Sequence, residues 1–238
     1  MGSRGVISGV VAFFLAVSAS AEERAPPTWG GEGELGYART TGNTETESLT
    51  ARLGVKREGP VWRAFLNLEA VNKSDGDNSV AERYYAAAKG NYKLTQRGYL
   101  FARTDYEDDR FSGFAYRANV AVGYGHRLVD SRIVILSAEI GPGARATRVD
   151  DGDTETVATG RLAGDLQWNI SEHAKFTTEA SAVTGGGDTD YRSLSAVTAK
   201  LNSYFALRVS YLYRYSTEVP PGRAHTDTET TVTLVYGF

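Results

Sequence analysis

Between residues 29 and 238 apolar and polar positions change places every second residue, in segment after segment. A period of two marks a strand whose two faces meet different surroundings. Twelve such segments are read, at about 30–40, 46–57, 61–72, 81–94, 99–106, 114–128, 133–147, 156–170, 174–184, 191–201, 204–216 and 227–238. The second sets Leu49, Ala51, Leu53 and Val55 against Thr50, Arg52 and Lys56. The eleventh sets Phe205, Leu207, Val209, Tyr211, Tyr213 and Tyr215 against Arg208 and Arg214. The fifth does not declare its apolar face, although Arg103 and Asp105 share a side. Gly141-Pro142-Gly143 falls inside the seventh. Proline cannot donate to a ladder, so a bulge or kink is expected there.

The connections alternate in kind. Glu58-Gly59-Pro60, Thr95-Gln96-Arg97, Val129 to Arg132, Ser171-Glu172-His173 and Asn202-Ser203 read as tight turns. Residues 41–45, 73–80, 107–113, 149–155, 185–190 and 217–225 read as longer loops. An even strand number, with short turns at one end and long loops at the other, predicts an all-β fold: a 12-stranded antiparallel transmembrane β-barrel of outer-membrane type, with both termini periplasmic. A soluble up-and-down barrel that binds a ligand in the periplasm is the alternative. Charge decides between them, because strand-interior Arg, Lys, Glu and Asp share one face opposite aromatics at both strand ends.

The first residues add an address. Arg4, a short apolar run from Val6 to Val17 and Ala19-Ser20-Ala21 form a secretory signal peptide over residues 1–21. Residues 22–28 are a polar, Pro-containing lead-in, and 29–238 the barrel. The last strand, Asp227 to Phe238, must pair with the first around Glu34 to Arg39 to abolish free edges. It ends on Tyr236 and Phe238, the chemistry of an interfacial aromatic girdle. Composition changes this picture little. Cysteine is absent, which excludes disulfides and Cys-based metal sites. Tyr outnumbers Phe and Trp together, 14 against 9 and 3, as suits a wet–apolar boundary.

The inward face carries the candidate chemistry. Arg52, Lys56, Arg63, Arg83, Lys89, Arg103, Arg117, Arg161, Arg208 and Arg214 outweigh Glu34, Glu69, Asp105, Glu139, Asp165, Glu179, Asp227 and Glu229. Such a lumen either favours anions in a narrow pore or pairs its charges across strands and closes itself. A twelve-strand barrel is wide enough for either. Long arginine side chains favour the narrow or occluded lumen, with Asp227 and Glu229 facing Arg214 or Arg208. Glu82 and Arg83, with Glu107, Asp108, Asp109, Arg110 and Arg117, read as a latch at the outer mouth. Asp75 with Asp77, and Asp150, Asp151 with Asp153, are weak candidates for a divalent cation and lack a calcium loop's spacing and closing Glu. A lipid acyl-ester hydrolase is a further alternative. It would use His225 with Ser216 or Ser112, since His126 and His173 lie at the turn ends. No catalytic residue, cofactor or nucleic-acid partner is expected.

Several short motifs occur together: Trp29 to Tyr37 (WGGEGELGY), Thr41 to Glu45 (TGNTE), Glu82-Arg83-Tyr84, Tyr106 to Gly113 (YEDDRFSG), Tyr116-Arg117, Gly123-Tyr124-Gly125, Glu139 to Gly143 (EIGPG), Asp227-Thr228 and Tyr236-Gly237-Phe238. In combination they resemble the salt-induced outer-membrane protein family, YdiY-like and of unknown function. The resemblance spans nearly the whole mature chain. It implies a barrel in the bacterial outer membrane and a link to salt or osmotic response, and it supplies no defined activity. It also implies contact with outer-membrane lipids and lipopolysaccharide, and a C-terminal signal, Tyr236 with Phe238, read by the barrel-assembly machinery.

Overall fold

The computed structural model describes residues 26–40, 46–75, 78–110, 114–149, 152–219, 222 and 224–237. The segment read as a signal peptide lies outside them. The twelve strands are β1 (Thr28–Thr40), β2 (Thr46–Glu58), β3 (Trp62–Asp75), β4 (Asn78–Lys93), β5 (Gly98–Asp109), β6 (Phe114–Asp130), β7 (Val134–Val149), β8 (Thr154–Asn169), β9 (Ala174–Gly185), β10 (Asp188–Lys200), β11 (Phe205–Ser216) and β12 (Thr226–Gly237). Each pairs antiparallel with its sequence neighbours, and β12 pairs with β1, so the sheet closes into a barrel. Closure gives every ladder a partner and leaves no edge, the condition for a sheet to stand in lipid.

Alternation sorts the side chains as lipid on one side and a charged lumen on the other would require. Leu35, Leu53, Leu66, Leu68, Val122, Ile140, Leu162, Val209, Val232 and Leu234 point outward and are exposed. A continuous apolar surface of this extent on a water-soluble barrel would drive aggregation. Aromatic girdles border it. Near the connection that begins after β11, Tyr106 stacks on Tyr116 at 5.8 Å and Tyr191 meets Tyr215 at 6.0 Å. At the opposite end, where β1 begins and β12 ends, Trp62 meets Tyr92 edge-on at 5.0 Å and Tyr204 stacks on Tyr236 at 6.4 Å. We call these the loop end and the turn end.

Four expectations change. The connection at 185–190 is a two-residue hairpin at Gly186 and Gly187, with φ of 66° and 89°. Positive φ at both central residues is what a tight hairpin demands and what glycine tolerates. Likewise β3 runs to Asp75 and β4 starts at Asn78, so the stretch 73–80 is mostly strand. The contrast between short turns and long loops therefore rests chiefly on 217–225, the longest connection.

The fifth strand turns Tyr99 and Phe101 inward, where they are 5% and 3% exposed beside Ala121. Room for them comes from glycines on β6: the Tyr99 ring lies where a side chain at Gly125 would stand.

The bulge expected at Gly141-Pro142-Gly143 is absent. Ala121 faces Gly143 and Tyr124 faces Ile140 in one register, and β8 pairs straight through Pro142. The β6–β7 ladder simply lapses between those pairs, because Pro142 brings no N–H and the backbones of Gly123 and Gly141 close on each other. Register shifts occur instead at Lys73/Ser74, Glu107/Asp109, Phe114/Tyr116 and Arg127/Val129.

The closing seam is lower and shorter than expected, running from Glu32–Gly237 to Leu35–Leu234. Above it the Val232 carbonyl stands 2.8 Å from where a Gly36 Cβ would be, out of line for pairing.

Candidate functional site

The lumen is the candidate site, and it is filled largely by its own charges. Every residue of the ladder read from sequence lies on the lumen side, and the arginine forks reach across the barrel as well as along the sheet. Arg214 on β11 reaches Glu107 at 2.5 Å and Asp109 at 3.2 Å, both on β5, the wall diametrically opposite in the ring of twelve. It also approaches Asp227 at 3.5 Å. Arg83 on β4 is 4% exposed and bridges Glu69 at 2.5 Å and Glu229 of β12 at 3.2 Å, with Glu107 at 3.8 Å. Arg117 of β6 and Arg145 of β7 converge on Asp190 of β10 at 2.9 and 2.6 Å. Arg192 of β10 stacks on the Tyr85 ring of β4, again on opposite walls, 4.6 Å from its centroid.

A second layer lies at mid-height. Lys89 meets Glu139 at 2.5 Å, and the Tyr99 hydroxyl donates to the same carboxylate at 2.8 Å. Glu139 is among the most buried side chains of the molecule. Asp165 lies 3.9 Å from Lys89. Arg103 holds Asp105 at 3.2 Å and Glu179 at 2.9 Å. Arg208 holds Glu34 and Glu32, and Thr233 donates to Glu34 at 2.8 Å. Arg52 binds Glu69 at 2.6 Å. A buried charge persists when an opposite charge compensates it, and these side chains supply one another with that charge, although Glu69 Oε1, Arg83 Nη1 and Glu139 Oε2 have no hydrogen bond of their own. Toward the turn end the pairs become local: Glu58 of β2 takes Arg63 from adjacent β3 and Lys93 from β4, the next strand over.

Above the mid layer, at the loop end, the pairs leave a cavity of about 490 Å³. Val219, Gly222, Ala224 and His225, from the connection after β11, are part of its lining. Asp188 anchors that connection. It accepts from the Thr217 hydroxyl at 2.8 Å and the Glu218 amide at 3.1 Å, and is itself held by Arg145 at 3.2 Å.

The residues read as an outer-mouth latch separate. Arg110 pairs with Glu82 at 2.7 Å in an exposed local contact, and its amide donates to the Glu82 carbonyl. Glu107 and Asp109 turn inward to Arg214, and Asp108 takes the other face by alternation. Glu229 serves Arg83 and lies 3.9 Å from Arg52, while Arg208 takes Glu32 and Glu34 instead. The proposed hydrolase pair is not assembled. His225 Nδ1–H donates to the Ser216 carbonyl, while the Ser216 hydroxyl donates to the Glu218 carbonyl. Ser112, Asp77, Asp150, Asp151 and Phe238 lie outside the described residues; Asp75 and Asp153 are exposed. Among the described residues no three acids or histidines gather as a metal site.

Sequence reading missed Glu32, Arg145, Asp188, Asp190 and Arg192. Glu32 and Arg145 sit at even spacing from Glu34 and Glu139, so alternation carried their signal. Arg192 sits at even spacing from Lys200 in the segment read as 191–201, so alternation carried its signal too; Asp188 and Asp190 were hidden when 185–190 was read as a loop.

The backbone is similar to that of the NanC porin, at 12% sequence identity, a TM-score of 0.52, and coverage of 88% of this chain and 98% of that one. It is also similar to an outer-membrane channel from Pseudomonas putida F1, at 10% identity, a TM-score of 0.50, and coverage of 93% and 100%. At such identities the likeness is one of fold, that of a 12-stranded outer-membrane-type barrel. In sequence the chain is 34% identical over 210 residues to the uncharacterized protein YdiY of Escherichia coli strain K12, covering 87% of this chain and 83% of that protein. The family model described as "Protein of unknown function, DUF481" matches residues 33–238, and the chain belongs to that family.

Proposed function

We propose that the protein stands in the bacterial outer membrane, termini on the periplasmic side, as a barrel closed by its own ion pairs. Its role there is structural, with little or no resting conduction. The observation that carries this reading is Arg214, which spans the lumen from β11 to Glu107 and Asp109 on β5. Planar-bilayer recording of the refolded protein tests it. Wild type is expected to give no stable steps, and Arg83→Ala with Arg214→Ala to give small ones. Large steady steps from wild type would overturn the closure. Steady anion-favouring steps would support the second reading, a narrow pore, for which Arg161 and Arg192 speak because neither has a close carboxylate of its own. Recovery in the soluble periplasm on fractionation would overturn the location.

The terminal strand supports a partner during biogenesis. Tyr236 packs against Tyr204 and Phe205 at the turn-end girdle, and we read Tyr236 with Phe238 as the signal for the barrel-assembly machinery. Deleting Phe238 is expected to lower assembled barrel in cells far more than Phe176→Ala does. Equal losses would remove that role.

A further inference from the structure

The loop-end cavity has a surplus that its own residues do not neutralise. The acids of its wall are all engaged. Asp105 is held by Arg103 and accepts from the Asn119 amide at 2.8 Å. Asp190 is shared by Arg117 and Arg145, and Glu229 is bound by Arg83. Glu107, Asp109 and Asp227 gather on Arg214.

Two cations remain. Arg161 on β8 lines the cavity, with its side chain 6% exposed. Its Nη1 is buried and has no hydrogen-bond partner. Its nearest carboxylate, Glu179, is 4.0 Å away and already accepts Arg103 at 2.9 Å. Arg192 on β10 lines the same cavity and lies within electrostatic reach of that same Glu179, along with Arg103, Lys89 and Arg161. Its guanidinium face rests on Tyr85, a posture that leaves in-plane N–H groups for a ligand. Ser181, paired in register with Arg192, adds a hydroxyl to the same wall. A buried guanidinium N–H without an acceptor is costly. One that borders a cavity open to the loop end is satisfied by an oxyanion that enters from there.

We propose that this cavity is a binding site for a small oxyanion, a carboxylate or phosphate group carried by a solute, seated between Arg161 and Arg192. Guanidinium forks match the two oxygens of such a group. Val71 on β3 and Leu212 on β11 add buried apolar surface to the cavity, which suits the body of an organic acid. The site goes beyond the closure of the lumen and does not depend on it, since binding from the loop end requires no conduction.

The test is thermal unfolding of the full barrel in detergent, followed by heat-modifiable gel migration, at fixed ionic strength. The probes are inorganic phosphate and succinate. Wild type is expected to show an unfolding temperature that rises with the logarithm of anion concentration above its dissociation constant, by roughly 3–6 °C for each tenfold. Glucose is expected to give none. Arg161→Gln should abolish the rise, and so should Arg192→Gln, which keeps the test alive if the first variant does not fold. Lys56→Gln, at the other mouth, should leave it intact. Absence of that logarithmic rise in wild type, or its survival in Arg192→Gln, would overturn the site. A rise with lipopolysaccharide but not with the free anions would overturn the assignment to a solute. Neither failure touches the bilayer measurement, so loss of this site and loss of the closed lumen are distinguishable.

Discussion

The two halves of the lumen use their cations differently. At the loop end the positive charges are mainly arginines, buried, and aimed across the barrel: Arg83, Arg117, Arg145 and Arg214 each meet a carboxylate from a strand that is not a neighbour. At the turn end they are mainly lysines. Lys56 and Lys200 are exposed and Lys175 half-buried, and none forms an ion pair among the described residues, although Glu32 lies within electrostatic reach of Lys175. The choice follows from the side chains. A guanidinium is weakly hydrated and presents a rigid fork, so it bridges two acids in a dry place. An ammonium is strongly hydrated and stays in water. The loop-end half is therefore a cross-braced plug, and the turn-end half a solvated cationic funnel.

The largest test of this contrast is Arg83→Met. The change leaves Glu229 without its principal cation and Glu69 with Arg52 alone. Removing one partner of a buried pair costs about 3–5 kcal/mol. Urea unfolding of the folded barrel in detergent is expected to show a loss of that order. Adding Glu69→Gln and Glu229→Gln to the same variant is expected to restore much of it, because the destabilisation comes from orphaned charge rather than from a lost strut. If the triple variant is as weak as the single one, the brace acts through shape, and the account of the loop-end half changes.

Much of this contrast was legible in the sequence, because alternation is a geometric consequence of the strand. Once Leu53 faces lipid, Arg52 must face the lumen. Strand number, closure and the inward ladder followed from that rule. The rule fails where a residue's partner lies across the barrel, since nothing along one strand tells Arg214 that it meets β5 rather than β12. It fails also where both faces are apolar: Tyr99 and Phe101 on β5 alternate with Leu100 and Ala102, and hydrophobicity alone does not orient them. The missing signal was on β6, where Gly123 and Gly125 make a thin wall on the lumen face. The Gly-Gly pair at 186–187 carried its hairpin in plain sight, and reading it as a loop concealed Asp188 and Asp190.

That thin wall supports the layer that divides the two halves, so it offers a test of intermediate size. A Cβ at Gly123 would overlap the Ile140 carbonyl and the Gly141 backbone, neither of which is the movable end of a side chain. At Gly90 a Cβ meets nothing within 4 Å. Gly123→Ala is expected to cost about 1–3 kcal/mol through overpacking. Gly90→Ala is expected to be neutral or to stabilise by up to about 1 kcal/mol, because the unfolded chain loses freedom. The same urea titration reads both. Equal effects would mean that the β6–β7 wall yields freely and does not hold Tyr99 and Phe101 in the lumen.

The smallest effect belongs to the funnel. Replacing Lys56, Lys175 and Lys200 together by glutamine is expected to move stability by no more than about 0.5 kcal/mol per site, the range of surface changes that touch no packed feature. The informative quantity is the response to salt. Three like charges around one mouth repel, and at 0.1 M ionic strength screening acts over about 10 Å. Wild type should therefore gain a little stability as salt rises from low values, and the triple variant should show a flatter dependence. The braced pairs of the loop-end half, largely shielded from solvent, contribute less to that slope because ions do not reach between them. A loss of several kcal/mol from the lysine replacements, or a salt slope identical to wild type, would show that the turn-end lysines hold the wall as the arginines do, and the division of the lumen into brace and funnel would not stand.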